Sequence, residues 1–327
     1  MAVYTELRHE DLLAVCRAYG LGEPLRLDPI PAGSINTNYA LHVARGRVFL
    51  RLTTARDAEA LRFEAGLLRH LRAHDFPGPT LLETPDGRTF LELEAGRVSL
   101  FGWLEGEELD REGFTADHAR ALGEALGRMH RLTADGALDL PPRENPYGPD
   151  VVSGWLEGLG GEEDEEVRAC LPELREALAV SRTYRELAGP RGVIHADLFM
   201  DNVKWPAPSA PVFFDFEMAC HEALALDLAI TLEAWCFSGG AFRPELCRAL
   251  MEGYGSQRPL AGGEAQTLWH AALFGAVRYT ASRIRDFHLS PLGADRLVPK
   301  DFRTWLSRVR TVRALGPSGF SALWGGP

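Results

Sequence analysis

Short stretches in which polar and apolar residues alternate recur through the first hundred residues of the chain. The alternation is clear from Asn38 to Val43, Val48 to Leu52 is a second β-rich run, and Phe90 to Leu93 is a third. A period of two puts successive side chains on opposite faces, so these runs are predicted strands. Between them a helix is predicted. From Asp57 to His74, residues Ala60, Leu61, Leu67, Leu68 and Leu71 recur at helical spacing, and the Gly and Pro residues after Phe76 end the run. The expectation is a small sheet crossed by one helix.

From about Thr115 the pattern changes to the helical period. The stretch ADHARALGEALGRMHRL is amphipathic, and Pro172 to Leu187 and Leu224 to Ala234 follow the same repeat. The run LFGWLEGEEL, Leu100 to Leu109, falls at the change and reads as the connection between the two parts. The fold class expected is therefore α+β, with a sheet-bearing part at 1–100, a connection at 101–109 and a mostly helical part at 110–327. The acidic run from Glu162 to Glu166 reads as a solvated helix start or loop.

Composition narrows the partners. A chain of 327 residues with a net charge of −11 lacks the basic face that nucleic acid or an anionic membrane surface requires, so a small-molecule partner is expected. The N-terminus, MAVYTELRHEDLLAVCRAYG, has no basic start, apolar centre or small-residue cleavage site, and no stretch approaches the roughly 20 apolar residues of a membrane span. A cytoplasmic location is expected. Five scattered cysteines without paired spacing argue for reduced, mostly buried thiols rather than a disulfide framework or a zinc site. Lys204 and Lys300 are the only lysines, so a site that usually takes lysine can here hold arginine. Nothing in the pattern fixes an oligomeric state.

Chemistry concentrates between Val193 and Glu217, VIHADLFMDNVKWPAPSAPVFFDFE. Two β-rich pieces, NVKW and VFFDF, flank a Pro-rich turn, the pattern of a hairpin with a loop longer than two residues. Centring that hairpin on PAPSAP sets Asn202 opposite Asp215, and Asp197 lies five residues earlier on the loop leading in. A carboxylate and an amide oxygen with room for water and phosphate oxygens suit Mg²⁺. His195 is placed to hold the loop by hydrogen bonding.

These residues carry a resemblance. H-A-D-x-x-x-D-N, then a strand, a turn and D-F-E, is similar to the catalytic and metal-binding segments of the aminoglycoside phosphotransferase and choline kinase superfamily, which has a bilobal, protein-kinase-like fold. The resemblance implies an ATP- and magnesium-dependent kinase for a small hydroxylated substrate. Its N-lobe is 1–100, its hinge 101–109 and its C-lobe 110–327, which carries the catalytic loop, metal site and substrate pocket. Asp197 becomes the catalytic aspartate, His195 the loop-stabilising histidine, and Asn202 and Asp215 the metal ligands. PAGSINTNYAL resembles the phosphate-covering loop, in which Gly33 lets backbone approach phosphate and Ser34, Asn36 and Asn38 supply donors. Arg51 takes the strand position where a lysine usually meets phosphate, with Glu64 as its ion-pair partner, and Phe101, Trp103 and Leu104 fall in the adenine-contacting hinge. The Asp227 segment is expected to tie the catalytic loop to a helix.

Within the superfamily, SINTNYAL, HADLFMDNV, DFEMAC, LDLAITLEAWCF, MEGYGSQRPL, ASRIRDFHL and PKDFRTWLSRV are most similar to the type II homoserine kinase family, which implies L-homoserine as acceptor and a place in threonine biosynthesis. A zwitterionic amino acid needs a cation for its carboxylate and an anion for its ammonium. Arg278, Arg283 and Arg285 on one predicted helix are the candidate cations, Glu217 and Asp201 the candidate anions, and Trp235 a candidate lid. Two other readings stay open: a kinase for an aminoglycoside, a choline-like compound or a sugar, and a nucleotide-binding regulator without turnover.

Overall fold

The predicted strands at 38–43, 48–52 and 90–93 form part of a five-stranded antiparallel sheet. The structure, a computed structural model, describes residues 6–31, 36–187, 189–290 and 300–326, so Gly33 and Ser34 lie outside the described residues. Two compact units divide the chain, one ending at Glu105 and the other beginning at Gly106, which splits the 101–109 connection between them.

The first unit holds α1 (His9–Ala18), β1 (Pro24–Ile30), β2 (Thr37–Val43), β3 (Gly46–Thr53), α2 (Ala58–Ala73), β4 (Leu91–Leu93) and β5 (Gly96–Gly102), with sheet order β1-β2-β3-β5-β4. Asp57 starts α2 by accepting the Ala60 N–H at 2.8 Å, an N-cap of the usual kind. The register sets Arg51 on β3 opposite Asn38 on β2 and Ser99 on β5. The helix α1 was not predicted. Its charges hide a narrow apolar stripe of Leu12, Val15, Cys16 and Tyr19, which joins one core with Leu41, Leu50, Leu52, Val98 and Leu100 of the sheet. Phe101, expected in the hinge, closes β5 instead, opposite Phe49, while Trp103 and Leu104 follow the strand.

The second unit contains α3 (Ala116–Thr133), α4 (Pro149–Gly158), α5 (Glu165–Ser181), β6 (Arg191–Ile194), β7 (Val203–Ala207), β8 (Ala210–Phe213), β9 (Cys220–Ala223), α6 (Leu224–Trp235), β10 (Phe237–Ser238), β11 (Ala241–Phe242), α7 (Pro244–Gln257), α8 (Glu264–Arg283) and α9 (Arg303–Ala322). Every residue of α6 is buried, and α8 packs against both α6 and α9. Helices α3 and α7 approach so closely that a Cβ on Gly123 would lie 2.0 Å from the Leu250 carbonyl oxygen, and one on Gly253 2.0 Å from that of Arg120. The helix expected to begin at Pro172 begins at Glu165, because Asp164 caps it and the acidic run supplies a first turn that suits the helix dipole. Pro172 lies inside it.

The hairpin differs from its expected form. Its strands run into the Pro-rich stretch, leaving Pro208 and Ser209 as a two-residue loop, and the register shifts between Lys204 and Ala207, where Pro206 has no N–H to offer. Val203 therefore faces Phe213, and the Asn202 carbonyl accepts the Phe214 N–H at 3.1 Å, one residue away from the expected pairing with Asp215. All five cysteines are free and buried, and no helix among the described residues is long and apolar enough to cross a membrane.

Candidate active site

In the second unit the loop after β6 is held from beneath by the first turn of α6. Asp227 is fully buried, and its two carboxylate oxygens accept the His195 and Ala196 N–H groups, each at 2.8 Å, with His130 Nε2 3.1 Å from Oδ2. Burial alone would raise the Asp227 pKa, but these donors hold it below the ordinary aspartate value, so it is a charged anchor. The grip forces Ala196 into a left-handed conformation, φ +65°, which non-glycine residues seldom adopt. The Ala196 carbonyl then turns the other way, toward Arg278 Nη1 at 3.0 Å and the Tyr279 hydroxyl at 2.9 Å.

Asp197 emerges half-buried from this clamp. Its Oδ1 lies 2.8 Å from the Tyr279 hydroxyl, whose single proton serves either Asp197 or the Ala196 carbonyl at one time. Burial holds the Tyr279 phenol well above its ordinary pKa, so it remains a donor. The Asn202 amide nitrogen donates to the Asp197 carbonyl at 2.7 Å and stands 3.2 Å from Asp197 Oδ2. Asn202 thus directs its N–H groups at Asp197 and its oxygen elsewhere.

Asp215 is tied to the same loop through its neighbour. The Phe214 N–H bonds Asn202 and the Phe214 carbonyl lies 3.0 Å from His195 Nε2, so strand and loop are laced together just before Asp215 leaves β8 with φ +61°. His195 is wholly buried, with its ring 4.7 Å from that of Phe216. Arg143 holds the far side, donating to the carbonyls of Glu217 at 2.9 Å and Ala219 at 2.6 Å. Two of the three non-glycine residues with positive φ among the described residues, Ala196 and Asp215, flank this segment, and the backbone is strained where the candidate chemistry lies.

The acceptor-side candidates are not equivalent. Arg278 is only 3% exposed and sits between the rings of Tyr147 and Tyr279, at 5.0 and 4.5 Å, with its guanidinium bonded to the loop. Its place is the support of the loop, which corrects the expectation that it faces a ligand. Trp235 is likewise no lid. It is 2% exposed in the core, where its indole N–H donates to the Leu198 carbonyl at 2.8 Å. Arg285 leaves the helix in a π-turn, pairs with Asp286 and lies 3.8 Å over Trp155. Arg283 is half-buried, Glu217 half-buried and Asp201 exposed. Sequence reasoning missed Tyr279, Arg143 and His130, which reach the loop from distant helices and segments without any local motif.

In the first unit, Arg51 and Glu64 form a buried ion pair, 4% and 3% exposed, with Arg51 Nη2 2.5 Å from Glu64 Oε2 and Arg56 Nη1 2.8 Å from the same oxygen. Burial would raise the Glu64 pKa, yet the two guanidinium groups hold it below the usual value. The Arg51 guanidinium also lies 4.8 Å over the Phe101 ring, and that of Arg47 lies 4.1 Å over Trp103. Asn38 is half-buried on β2, and Asn36, just before that strand, is buried.

Fold and segments together define a small-molecule phosphotransferase of protein-kinase-like architecture. Among solved structures, an amicoumacin kinase in complex with AMP-PNP, Ca²⁺ and Ami aligns with TM-score 0.69 and 17% identity over 98% of this chain and 96% of its own. A microcompartment-associated aminopropanol kinase aligns with TM-score 0.69 and 17% identity over 96% and 99%. Curated relatives span nearly the whole chain. The homoserine kinase of Parvibaculum lavamentivorans is 34% identical over 98% of this chain and 99% of its own length, and that of Hyphomonas neptunium 36% identical over 96% and 98%. Residues 26–260 match the sequence model of the phosphotransferase enzyme family, and the chain belongs to that family, on the branch of the homoserine kinases. It is a kinase that phosphorylates a hydroxyl group.

Proposed function

We propose that the protein transfers the γ-phosphoryl group of ATP to the side-chain hydroxyl of L-homoserine, with Mg²⁺ as cofactor. The observation that carries the reading is the clamped loop, in which Asp197 is held by Tyr279 and Asn202 while Asp227 fixes the backbone behind it. Whole-length similarity to homoserine kinases supports the choice of acceptor.

Phosphoryl transfer spreads charge over the equatorial oxygens in a loose transition state, so alignment and neutralisation supply most of the rate. Asp197 accepts a hydrogen bond from the acceptor hydroxyl and turns its oxygen in line. Its geometry does that work without requiring a strong base. Asn202 and Asp215 are the residues that would hold the metal. An amide oxygen turned away from Asp197 and a carboxylate on a left-handed residue match the all-oxygen donor set that Mg²⁺ prefers. Bound there, the ion supplies neutralisation of the phosphate oxygens. Arg51, aligned by Glu64, serves the phosphates in place of a lysine, and Gly33, Ser34, Asn36 and Asn38 cover them. Phe101, Trp103 and Leu104 meet the adenine. His195 stabilises the loop, and Asp201 and Glu217 are the acids for the substrate ammonium.

The test is magnesium-dependent ADP formation across L-homoserine, aminoglycosides, choline and ethanolamine. Homoserine is expected as best acceptor, and Asp197→Asn is expected to lower kcat by about 10²- to 10⁴-fold while the protein stays folded. Turnover confined to another acceptor overturns the choice of substrate, and near-normal turnover of the Asp197 variant overturns the role of that residue.

A further inference from the structure

Most arginines near the end of the second unit have acidic partners. Arg303 pairs with Glu166, Arg310 with Glu173 and Arg313 with Glu176. Among the described residues Arg283 and Arg308 form no ion pair. Among the described residues Arg283 Nη1 donates only to neutral oxygens, the Thr304 hydroxyl at 2.8 Å and the Asp301 carbonyl at 3.0 Å. Arg308 does the same, with Nη1 2.5 Å from the Thr304 carbonyl and Nε 3.0 Å from the Glu233 carbonyl. Both guanidinium groups thus converge on Thr304. Both also lie against the Trp305 ring, with centroid distances of 5.7 Å for Arg283 and 4.6 Å for Arg308.

Two guanidinium groups brought together, Arg308 buried and Arg283 half-buried, with no carboxylate hydrogen-bonded to either among the described residues, are costly unless an anion completes the arrangement. Burial pushes the Arg283 and Arg308 pKa values down to about 10, which still leaves both charged near neutrality. The nearby Glu233 carboxyl acts on Arg308 only through space, for neither of its oxygens has a hydrogen-bond donor among the described residues, and burial pushes its own pKa up against the pull of Arg308. The position is informative as well. The Trp305 ring packs 4.5 Å from Tyr279, whose hydroxyl bonds Asp197, and the carboxylates of Asp197 and Asp201 act electrostatically on Arg283. A run of packed groups, Arg283 against Trp305 and Trp305 against Tyr279, therefore leads to the residue assigned to the acceptor hydroxyl.

We propose that Arg283, reinforced by Arg308 against the same indole, binds the α-carboxylate of the acceptor and makes the enzyme select a hydroxylated amino acid over the corresponding amino alcohol. The proposal rests on the homoserine reading above and adds its specificity determinant. A guanidinium that already gives its outer N–H groups to neutral oxygens keeps further donors for a carboxylate, and an acceptor without that group leaves the cation unpaired.

The experiment compares kcat/KM for L-homoserine and for homoserinol, its carboxylate-free analogue, in the full-length wild type, Arg283→Gln and Arg283→Lys, with thermal melts to confirm folding. The wild type is expected to prefer homoserine by on the order of 10²-fold. Arg283→Gln should collapse that ratio through KM for homoserine more than through kcat, and Arg283→Lys should recover part of it. Homoserine binding without nucleotide, read by tryptophan fluorescence, should weaken in parallel. A folded Arg283→Gln whose ratio stays within threefold of wild type overturns the subsite while leaving homoserine kinase activity intact. A wild type that turns over both compounds equally does the same without any variant. If the wild type leaves homoserine untouched, the functional reading falls first and the subsite with it.

Discussion

Asp227 and Glu233 stand less than two turns apart on α6, both fully buried, and their pKa values are pushed in opposite directions. Around Asp227 two backbone N–H groups and His130 supply hydrogen bonds, and its pKa falls. Around Glu233 neither oxygen has a donor among the described residues, Arg308 acts on it only through space, and its pKa rises. Depth is the same at the two ends of the helix. Donors decide which carboxyl is favoured as the anion, and the one so favoured fixes the Asp197 loop.

The sharpest way to break this contrast is Asp227→Asn. The amide keeps one acceptor oxygen but presents N–H groups to a backbone donor, so a loss of about 3–5 kcal/mol in urea unfolding at neutral pH is expected, with turnover reduced as Ala196 relaxes. The pH dependence has a definite sign. A carboxyl whose folded pKa lies below its unfolded value of 3.8 contributes its full stability above that value and loses it as pH falls through the folded one. Wild type and variant should therefore converge on acidification below about pH 4, and a gap that widened there would contradict the charged anchor.

Glu64 supplies a third buried carboxyl, satisfied by guanidinium groups instead of amides. Glu64→Gln leaves Arg51 and Arg56 sharing a neutral partner, and a loss of about 2 kcal/mol is expected, smaller than at Asp227 because both cations keep a hydrogen-bond acceptor. Its folded pKa is also lowered, so this gap too should be full above the unfolded value of 4.5 and shrink as pH falls through the folded one. An effect as large as that of Asp227→Asn would mean that the ion pair in the first unit, rather than the loop anchor, dominates the stability of the chain.

The contrast also separates what the sequence disclosed from what it hid. Asp197, Asn202 and Asp215 stand out as candidates because one loop and one hairpin carry them, and even there the register differs by a residue, since Pro206 and Pro211 read as loop in the sequence and belong to strands. Asp227 stood out only through resemblance, because a lone aspartate in an apolar helix has no local pattern. Tyr279, 82 positions from the Asp197 it bonds, left no signal at all. Arg308 lies within PKDFRTWLSRV, yet nothing in that segment distinguishes it from Arg303 until the fold pairs Arg303 with Glu166 and gives Arg308 no ion pair among the described residues. The unpredicted α1 shows the same limit, as its four core residues were masked by the charges between them.

The smallest expected effect is the most discriminating. Glutamine has the shape of a protonated glutamate and cannot ionise, so Glu233→Gln leaves the packing against Gly275 intact, where a Cβ would stand 3.1 Å from Glu233 Oε2. A carboxyl whose folded pKa lies above its unfolded value of 4.5 gives its full contribution below that value and loses it as pH rises through the folded one. Near pH 4.5 the two proteins should differ by less than about 1 kcal/mol, and toward pH 8 the variant should move ahead, opposite in sign to Asp227→Asn. Urea unfolding at both pH values reads the difference directly. A variant that instead fell behind as pH rose would show Glu233 ionised in the fold, acting as the counter-charge of Arg308, and would remove the uncompensated pair of cations on which carboxylate selection depends.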